Sequence, residues 1–151
     1  MKTMYIVSDI DGTVADISHR VKYLIGADKN WGKFFAAMNQ DTVIFKNASI
    51  LLELSNYGIQ SYYELVFCTG RPEIYRTETE SWLATNVHAG HTVLMRKDGD
   101  YRSDSVIKPE LLREAGITPE NTLFILEDRN RVVMAYRDLG YNVFQVAEGD
   151  Y

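Results

Sequence analysis

The sequence predicts an α/β fold of three layers, with a parallel sheet of about five strands lying between helices. Three observations carry this. Five apolar runs of four to seven residues recur along the chain, each too short for an ordinary helix. Longer segments with helical spacing lie between most of them. Strands that alternate with helices pair in parallel and bury both faces of their sheet. The 151 residues are 46% hydrophobic and no Pro/Gly/Ser-rich stretch divides them, so one domain over 1–151 is expected.

In chain order, the first strand is predicted over Met4 to Ile10. The stretch 14–42 is more polar, holds Tyr23, Trp31, Phe34 and Phe35, and reads as a small cap-like helical insertion over the strand ends. Two readings of Trp31, Phe34 and Phe35 stay open: they pack the insertion on the body, or they wall a substrate site. Ala48 to Tyr57 sets Ile50, Leu51, Leu54 and Tyr57 on one helical face, with Gly58 as its stop. A strand at Glu64 to Thr69 precedes a helix at Ile74 to Leu83, which continues from Pro72. After a strand at Thr92 to Met95 comes a helix at Pro109 to Ala115, opened by proline and closed at Gly116. A strand at Leu123 to Leu126, a helix at Asn130 to Leu139 ended by Gly140, and a strand at Asn142 to Val146 complete the set.

Composition narrows the function classes. Sixteen Lys and Arg stand against 21 Asp and Glu, a formal net charge of −5, which argues against a nucleic-acid coat or a polybasic membrane binder. The single cysteine, Cys68, can form neither an internal disulfide nor a zinc cluster, so a reducing, cytoplasmic setting is expected and Cys68 reads as core. Only seven residues, Met4 to Ile10, precede Asp11 as an apolar run, too few for a signal peptide or a membrane span.

In parallel sheets, ligands sit beyond the carboxyl ends of the strands, where the strand order reverses. The first strand ends in Asp9-Ile10-Asp11-Gly12-Thr13. Alternation along a strand points Asp9 and Asp11 the same way, and two adjacent carboxylates require a cation or a shared proton. At the second strand end, Thr69, Gly70 and Arg71 offer a hydroxyl, open backbone N–H groups and a bidentate cation, a natural cradle for phosphate. The fourth run ends in Glu127-Asp128-Arg129. Oxygen-only ligands at this density suit a hard divalent cation, above all Mg2+, whereas zinc would want His or Cys. His19, His88 and His91 show no metal-like spacing. Setting aside Asp9, Asp11, Glu127 and Asp128 leaves 17 acidic residues against 16 basic ones, so the remaining surface is near neutral.

Asp9-x-Asp11-Gly12-Thr13, then Thr69-Gly70-Arg71, then Lys108, then Glu127-Asp128 resembles the four ordered motifs of haloacid dehalogenase-like (HAD-like) phosphohydrolases. More closely, the chain resembles the 3′-phosphatase domain of bacteriophage polynucleotide kinases and their stand-alone relatives. That similarity extends from Met4 to Tyr151 through Asp9 to Arg20, Val66 to Arg71, Asp104 to Lys108 and Glu127 to Tyr151. The resemblance implies a Rossmann-like, HAD-like fold and a Mg2+-dependent phosphatase acting on 3′-phosphorylated nucleic-acid ends. It implies Asp9 as the nucleophile that forms an aspartyl-phosphate, and Asp11 as the acid that protonates the leaving oxygen and later activates water. The proton on Asp11 would be kept by neighbouring negative charge. The metal would be held by Asp9, the Asp11 carbonyl and Asp128, with Glu127 supporting through water. Lys108 and Thr69 would hold phosphate oxygens; Arg20, Gly70, Arg71 and Arg129 would bind substrate. Glu127 departs from the Asp-Asp pair of the phage enzymes. No 5′-kinase is expected: Gly26 and Gly32 are separated by five residues where a phosphate loop has four, and no Ser or Thr follows Lys33.

Two alternatives remain from the residues alone. The same chemistry could serve nucleoside monophosphates or other small phosphate esters. A non-enzymatic phospho-aspartate receiver shares the parallel sheet, the acidic residues, a Thr and a Lys, but the Asp9-x-Asp11 spacing fits turnover better than storage. Whether a protein partner works alongside is left open.

Overall fold

The computed structural model of the chain describes residues 2–56 and 62–151. Thirteen elements are used below: β1 (Met4–Ser8), β2 (Ala15–Asp16), α1 (Ser18–Val21), α2 (Trp31–Ala36), β3 (Thr42–Val43), α3 (Phe45–Asn56), β4 (Tyr63–Pro72), α4 (Arg76–Asn86), β5 (Thr92–Arg96), α5 (Asp104–Glu114), β6 (Thr122–Arg129), α6 (Asn130–Asp138) and β7 (Val143–Gly149).

Five of the strands form one sheet in the order β5-β4-β1-β6-β7, every pair parallel. β1 is central, and the chain passes to β4 on one side of it and later to β6 on the other, so the order reverses there. That is where parallel sheets open a crevice for ligands. Alternation along β1 sends Ile6 to one face and Val7 to the other. On the first face Ile6, Phe67 and Leu126 pack with Ala48 and Leu51 of α3 and with Trp82 and Leu83 of α4. On the second, Val7, Val66, Cys68 and Ile125 pack with Leu112 of α5 and with Val132, Val133 and Tyr136 of α6. α6 has nine residues, below the ~12–15 needed for an isolated helix to persist. Its three buried side chains, each contributing roughly 1.5–3 kcal/mol, hold it in place.

Several boundaries move relative to expectation. β1 stops pairing at Ser8, because the Ile10 carbonyl accepts the N–H groups of Thr13, Val14 and Ala15 and turns the chain. β4 and β6 each run three residues past the predicted end, through Gly70-Arg71-Pro72 and Glu127-Asp128-Arg129. α5 starts at Asp104, five residues before the proline taken as its start. Ser103 caps it by accepting from the Ser105 N–H, and Pro109 lies inside. α3 starts three residues early, at Phe45; Tyr57 and Gly58 lie outside the described residues.

The stretch 14–42 shares the core of the body: Val14, Ala15, Ile17, Leu24 and Phe34 are buried in one cluster with Ile6 and Leu51. β2 pairs antiparallel with β3 at its base. α1, α2 and two short 3-10 turns fill the loop between them. Phe34 is buried in the core, as the packing reading expects; Trp31 is 42% exposed, and Trp31, Phe34 and Phe35 all line the cleft described next.

Candidate active site

A cleft of about 320 Å³ opens at the carboxyl ends of β1, β4 and β5. Its floor includes Asp9, Asp11, Thr69, Gly70 and Lys108, and its walls include Trp31, Phe35, Tyr101, Arg129 and Tyr151. Close packing builds the floor. Gly12 has φ +80, and a Cβ there would collide with the Asp128 carboxylate. A Cβ on Gly70 would collide with the Asp104 carboxylate, so neither glycine can be replaced without displacing a charged neighbour.

Asp9, Glu127 and Asp128 offer oxygens that all lie within 4.8 Å of one another, and all three residues are buried. Lys108, 2% exposed, donates to Asp9 Oδ1 at 2.8 Å and to Glu127 Oε2 at 2.7 Å. The other Glu127 oxygen accepts the backbone N–H groups of Asp128 and Arg129, each at 3.1 Å. Glu127 is therefore committed to Lys108 and the backbone, while Asp9 and Asp128 keep accepting capacity. One ammonium among three carboxylates leaves the cluster anionic. Burial, then the Glu127 charge, pushes the Asp9 carboxyl up to about 7. Burial, then Asp9, raises Asp128 to about 6, and burial also raises Glu127. Burial opposes the Lys108 charge, yet Asp9 and Glu127 outweigh it and hold the ammonium protonated. Oxygen-only donors with excess negative charge fit a hard divalent cation.

A pH dependence follows. In cation-free protein, Asp9 and Asp128 titrate in the fold above their ordinary 3.8. Their protonation thus favours the folded state below about 4, and that contribution disappears as pH climbs past 6 and 7. A cation must displace the same protons, so stabilisation by added Mg2+ should grow from pH 5 to pH 7 and then level off. Thermal unfolding across that range with and without Mg2+ checks this. A pH-independent increment would contradict it.

Asp11 faces a different environment. Arg71 approaches both of its oxygens, at 2.6 Å through Nη2 and 3.1 Å through Nε, and Arg20 reaches Oδ1 at 2.6 Å. Both arginines also grip Asp41, at 2.5 and 3.2 Å. Burial alone would raise the Asp11 carboxyl, but Arg71 and Arg20 hold it well below the usual carboxylate range. The expected negative neighbours that would keep a proton on Asp11 are absent from these contacts; its partners are cations. Asp9 and Asp11 both line the cleft but take different partners, Lys108 and the two arginines, and β1 has ended at Ser8, before either of them. Arg20 and Arg71, expected at the substrate, are fully buried against carboxylates. Thr69 and Arg129 do face the cleft, the latter donating to Asp104 and to the Tyr151 carbonyl. Cys68 is core, its thiol pushed up to about 12 by burial.

Three site residues escaped the sequence reading. Asp41 binds both buried arginines, and His19 meets it at 2.8 Å. Asp104 joins Arg96 to Arg129. Tyr151 donates its hydroxyl to Asp128 at 2.8 Å. None sits at the end of an apolar run, the signal that exposed the others.

Residues 3–151 match the family described as polynucleotide kinase PNKP phosphatase domain. Among solved structures, a chain of the Pnkp1/Rnl/Hen1 RNA repair complex is 31% identical over 99% of this chain, with a TM-score of 0.79. The match spans 44% of that chain's length. CbbY from Rhodobacter sphaeroides, in complex with phosphate, is 13% identical, with 99% and 88% of the two chains covered and a TM-score of 0.64. A HAD family enzyme from Bacteroides thetaiotaomicron, in complex with magnesium and inorganic phosphate, is 14% identical, with 99% and 97% covered and a TM-score of 0.56. Those two similarities speak to the fold. The family match over nearly the whole chain places its function as well: the chain belongs to the PNKP phosphatase-domain family of the HAD superfamily and is a phosphatase.

Proposed function

We propose that the chain is a Mg2+-dependent phosphomonoesterase that removes 3′-phosphates from polynucleotide ends through an aspartyl-phosphate on Asp9. The observation that carries this reading is Asp9 itself: a buried carboxylate on the cleft floor, bonded to Lys108 and within 4.8 Å of Glu127 and Asp128. Asp9 and Asp128, with the Asp11 carbonyl, would hold the cation, and Glu127 would anchor Lys108 behind them. Bound there, Mg2+ would neutralise charge on the substrate phosphate and keep Asp9 ionised.

Asp9 attacks phosphorus, its oxygen gains the P–O bond, and the bond to the departing 3′-oxygen breaks. Thr69 and Lys108, both on the cleft floor, donate to phosphoryl oxygens as charge redistributes. Water then attacks phosphorus of the phosphoaspartate and surrenders a proton, the bond from phosphorus to Asp9 breaks, and inorganic phosphate leaves with Asp9 restored as a carboxylate. Asp11 receives the water's proton, and the ion pairs to Arg20 and Arg71 favour the ionised carboxylate this half-reaction needs. Protonating the leaving oxygen in the first half requires Asp11 to carry that proton out of the arginine clamp. Arg20 and Arg71 thus act on Asp11, and Arg129 and the Gly70 backbone line the path of the ester.

A polynucleotide end is supported by the cleft rim, where Lys29, Lys97, Arg102 and Arg131 lie among aromatic side chains that a base can stack on. Relatives found in an RNA repair complex point the same way. The test compares phosphate release from a 3′-phosphorylated RNA and DNA oligonucleotide with release from 3′- and 5′-mononucleotides, with and without chelator. Chelator-sensitive preference for either oligonucleotide is expected. A cleft of this volume also admits a mononucleotide, and preference for 5′-mononucleotides would overturn the polynucleotide assignment.

A further inference from the structure

We infer that the Tyr151 hydroxyl is a positioning group for the cation site, fixing the Asp128 carboxylate in the orientation the ion requires. The inference rests on the cation site proposed above. Tyr151 Oη donates to Asp128 Oδ2 at 2.8 Å and lies 3.3 Å from the Asp11 carbonyl oxygen. A phenol has one proton, so the shorter contact takes it and the carbonyl is the second acceptor in reach. These are the two groups proposed, with Asp9, to hold the ion.

Among the described residues, no other hydrogen bond holds the Asp128 side chain as firmly. Among the described residues, Oδ1 meets only Thr13 Oγ1, at 3.4 Å, and that hydroxyl also reaches Asp9 Oδ2 at 3.3 Å. Gly12 and Gly149 flank the carboxylate and leave it room; a Cβ on Gly149 would come within 2.7 Å of Oδ2. They contribute no hydrogen bond to it. Rotation of Asp128 about its side-chain bonds is therefore set by Tyr151. A partner that orients a ligating carboxylate typically controls metal affinity by ~10–100-fold.

Tyr151 is itself well held. The Arg129 guanidinium stacks on its ring, 4.8 Å from the centroid, and donates to its carbonyl. Arg129 also donates to Asp104, which accepts from Arg96 at the end of β5. A continuous set of contacts thus runs from one bank of the cleft to Asp128, with the phenol hydroxyl as its last link.

Tyr151→Phe keeps the ring and its stacking on Arg129 and deletes the hydroxyl alone. The probe is Mn2+, titrated into the full chain without substrate and followed by the electron paramagnetic resonance of the free ion. The Mn2+ dissociation constant of the variant should rise about tenfold. The metal concentration that half-saturates phosphate release should rise in parallel. A merely structural hydroxyl would instead lower the unfolding midpoint in EDTA and leave Mn2+ affinity within twofold of wild type, which overturns the inference. If wild type takes up no Mn2+, the cation reading fails first and this one falls with it.

Discussion

Asp9→Asn is expected to lower kcat by about ten-thousandfold or more, the scale seen when a nucleophile is removed from a covalent mechanism. An amide has the size of the carboxylate it replaces but cannot form the acyl phosphate. The fold should tolerate the exchange. Burial and Glu127 already make the Asp9 charge unfavourable, raising its pKa to about 7, and the Lys108–Glu127 pair at 2.7 Å remains. Its urea midpoint in EDTA at pH 8 should therefore not fall below wild type, which separates lost chemistry from lost structure. Retention of more than about one part in a hundred of kcat would mean that another group attacks phosphorus.

Lys108→Met should damage both properties at once. The substitution removes the ammonium that Asp9 and Glu127 share while filling much of the same volume. Breaking a buried ion pair by deleting one partner costs about 3–5 kcal/mol, because the surviving charge stays buried without compensation. In a protein of this length that is a fall of roughly 6–20 °C in Tm. The cost should depend on pH. At pH 5 Asp9 is protonated in the fold, as its value of about 7 implies, so less charge is stranded; at pH 8 the full penalty applies. Added Mg2+ should narrow the gap at pH 8 by supplying positive charge in place of the ammonium. Phosphate release should drop by about 10²–10³-fold even at saturating Mg2+, since a donor to the phosphoryl oxygens is gone. Urea unfolding at both pH values with EDTA or Mg2+ tests this, and an equal loss under all four conditions would refute the electrostatic account.

The core of the sheet was legible because burial leaves a local trace. Ile6 and Val7 alternate between two packed faces, and short apolar runs mark the strands on either side. Strand ends were less legible for the opposite reason. Gly70-Arg71-Pro72 and Glu127-Asp128-Arg129 are polar, yet pairings of Pro72 with Arg96 and of Arg129 with Gly149 extend both strands. The β2–β3 pair is two residues long and has no periodicity to detect. The site divides in the same way. Asp9, Lys108, Glu127 and Asp128 stand at or just beyond apolar runs, or in motif order. Asp41 and Tyr151 do not, and they meet their partners only after the insertion and the last strand have packed. The direction of Asp11 is also a tertiary fact, since Arg20 and Arg71 arrive from 9 and 60 residues away.

The clamp on Asp11 bears on how such a chain can be recombined with its relatives. Arg20 and Asp41 both come from the insertion, and they bring opposite charges into a buried space shared with Asp11 and Arg71. A chimera that exchanges the two together keeps the charge there balanced. A crossover placed between positions 20 and 41 can separate them, stranding a guanidinium or a carboxylate beneath the cleft at a cost of about 3–5 kcal/mol. Trp82 of α4 adds a second tether, donating to the Asp41 carbonyl at 2.9 Å. The insertion is thus a heritable block whose permissible seams lie outside the Arg20–Asp41 span, near the β2–β3 base.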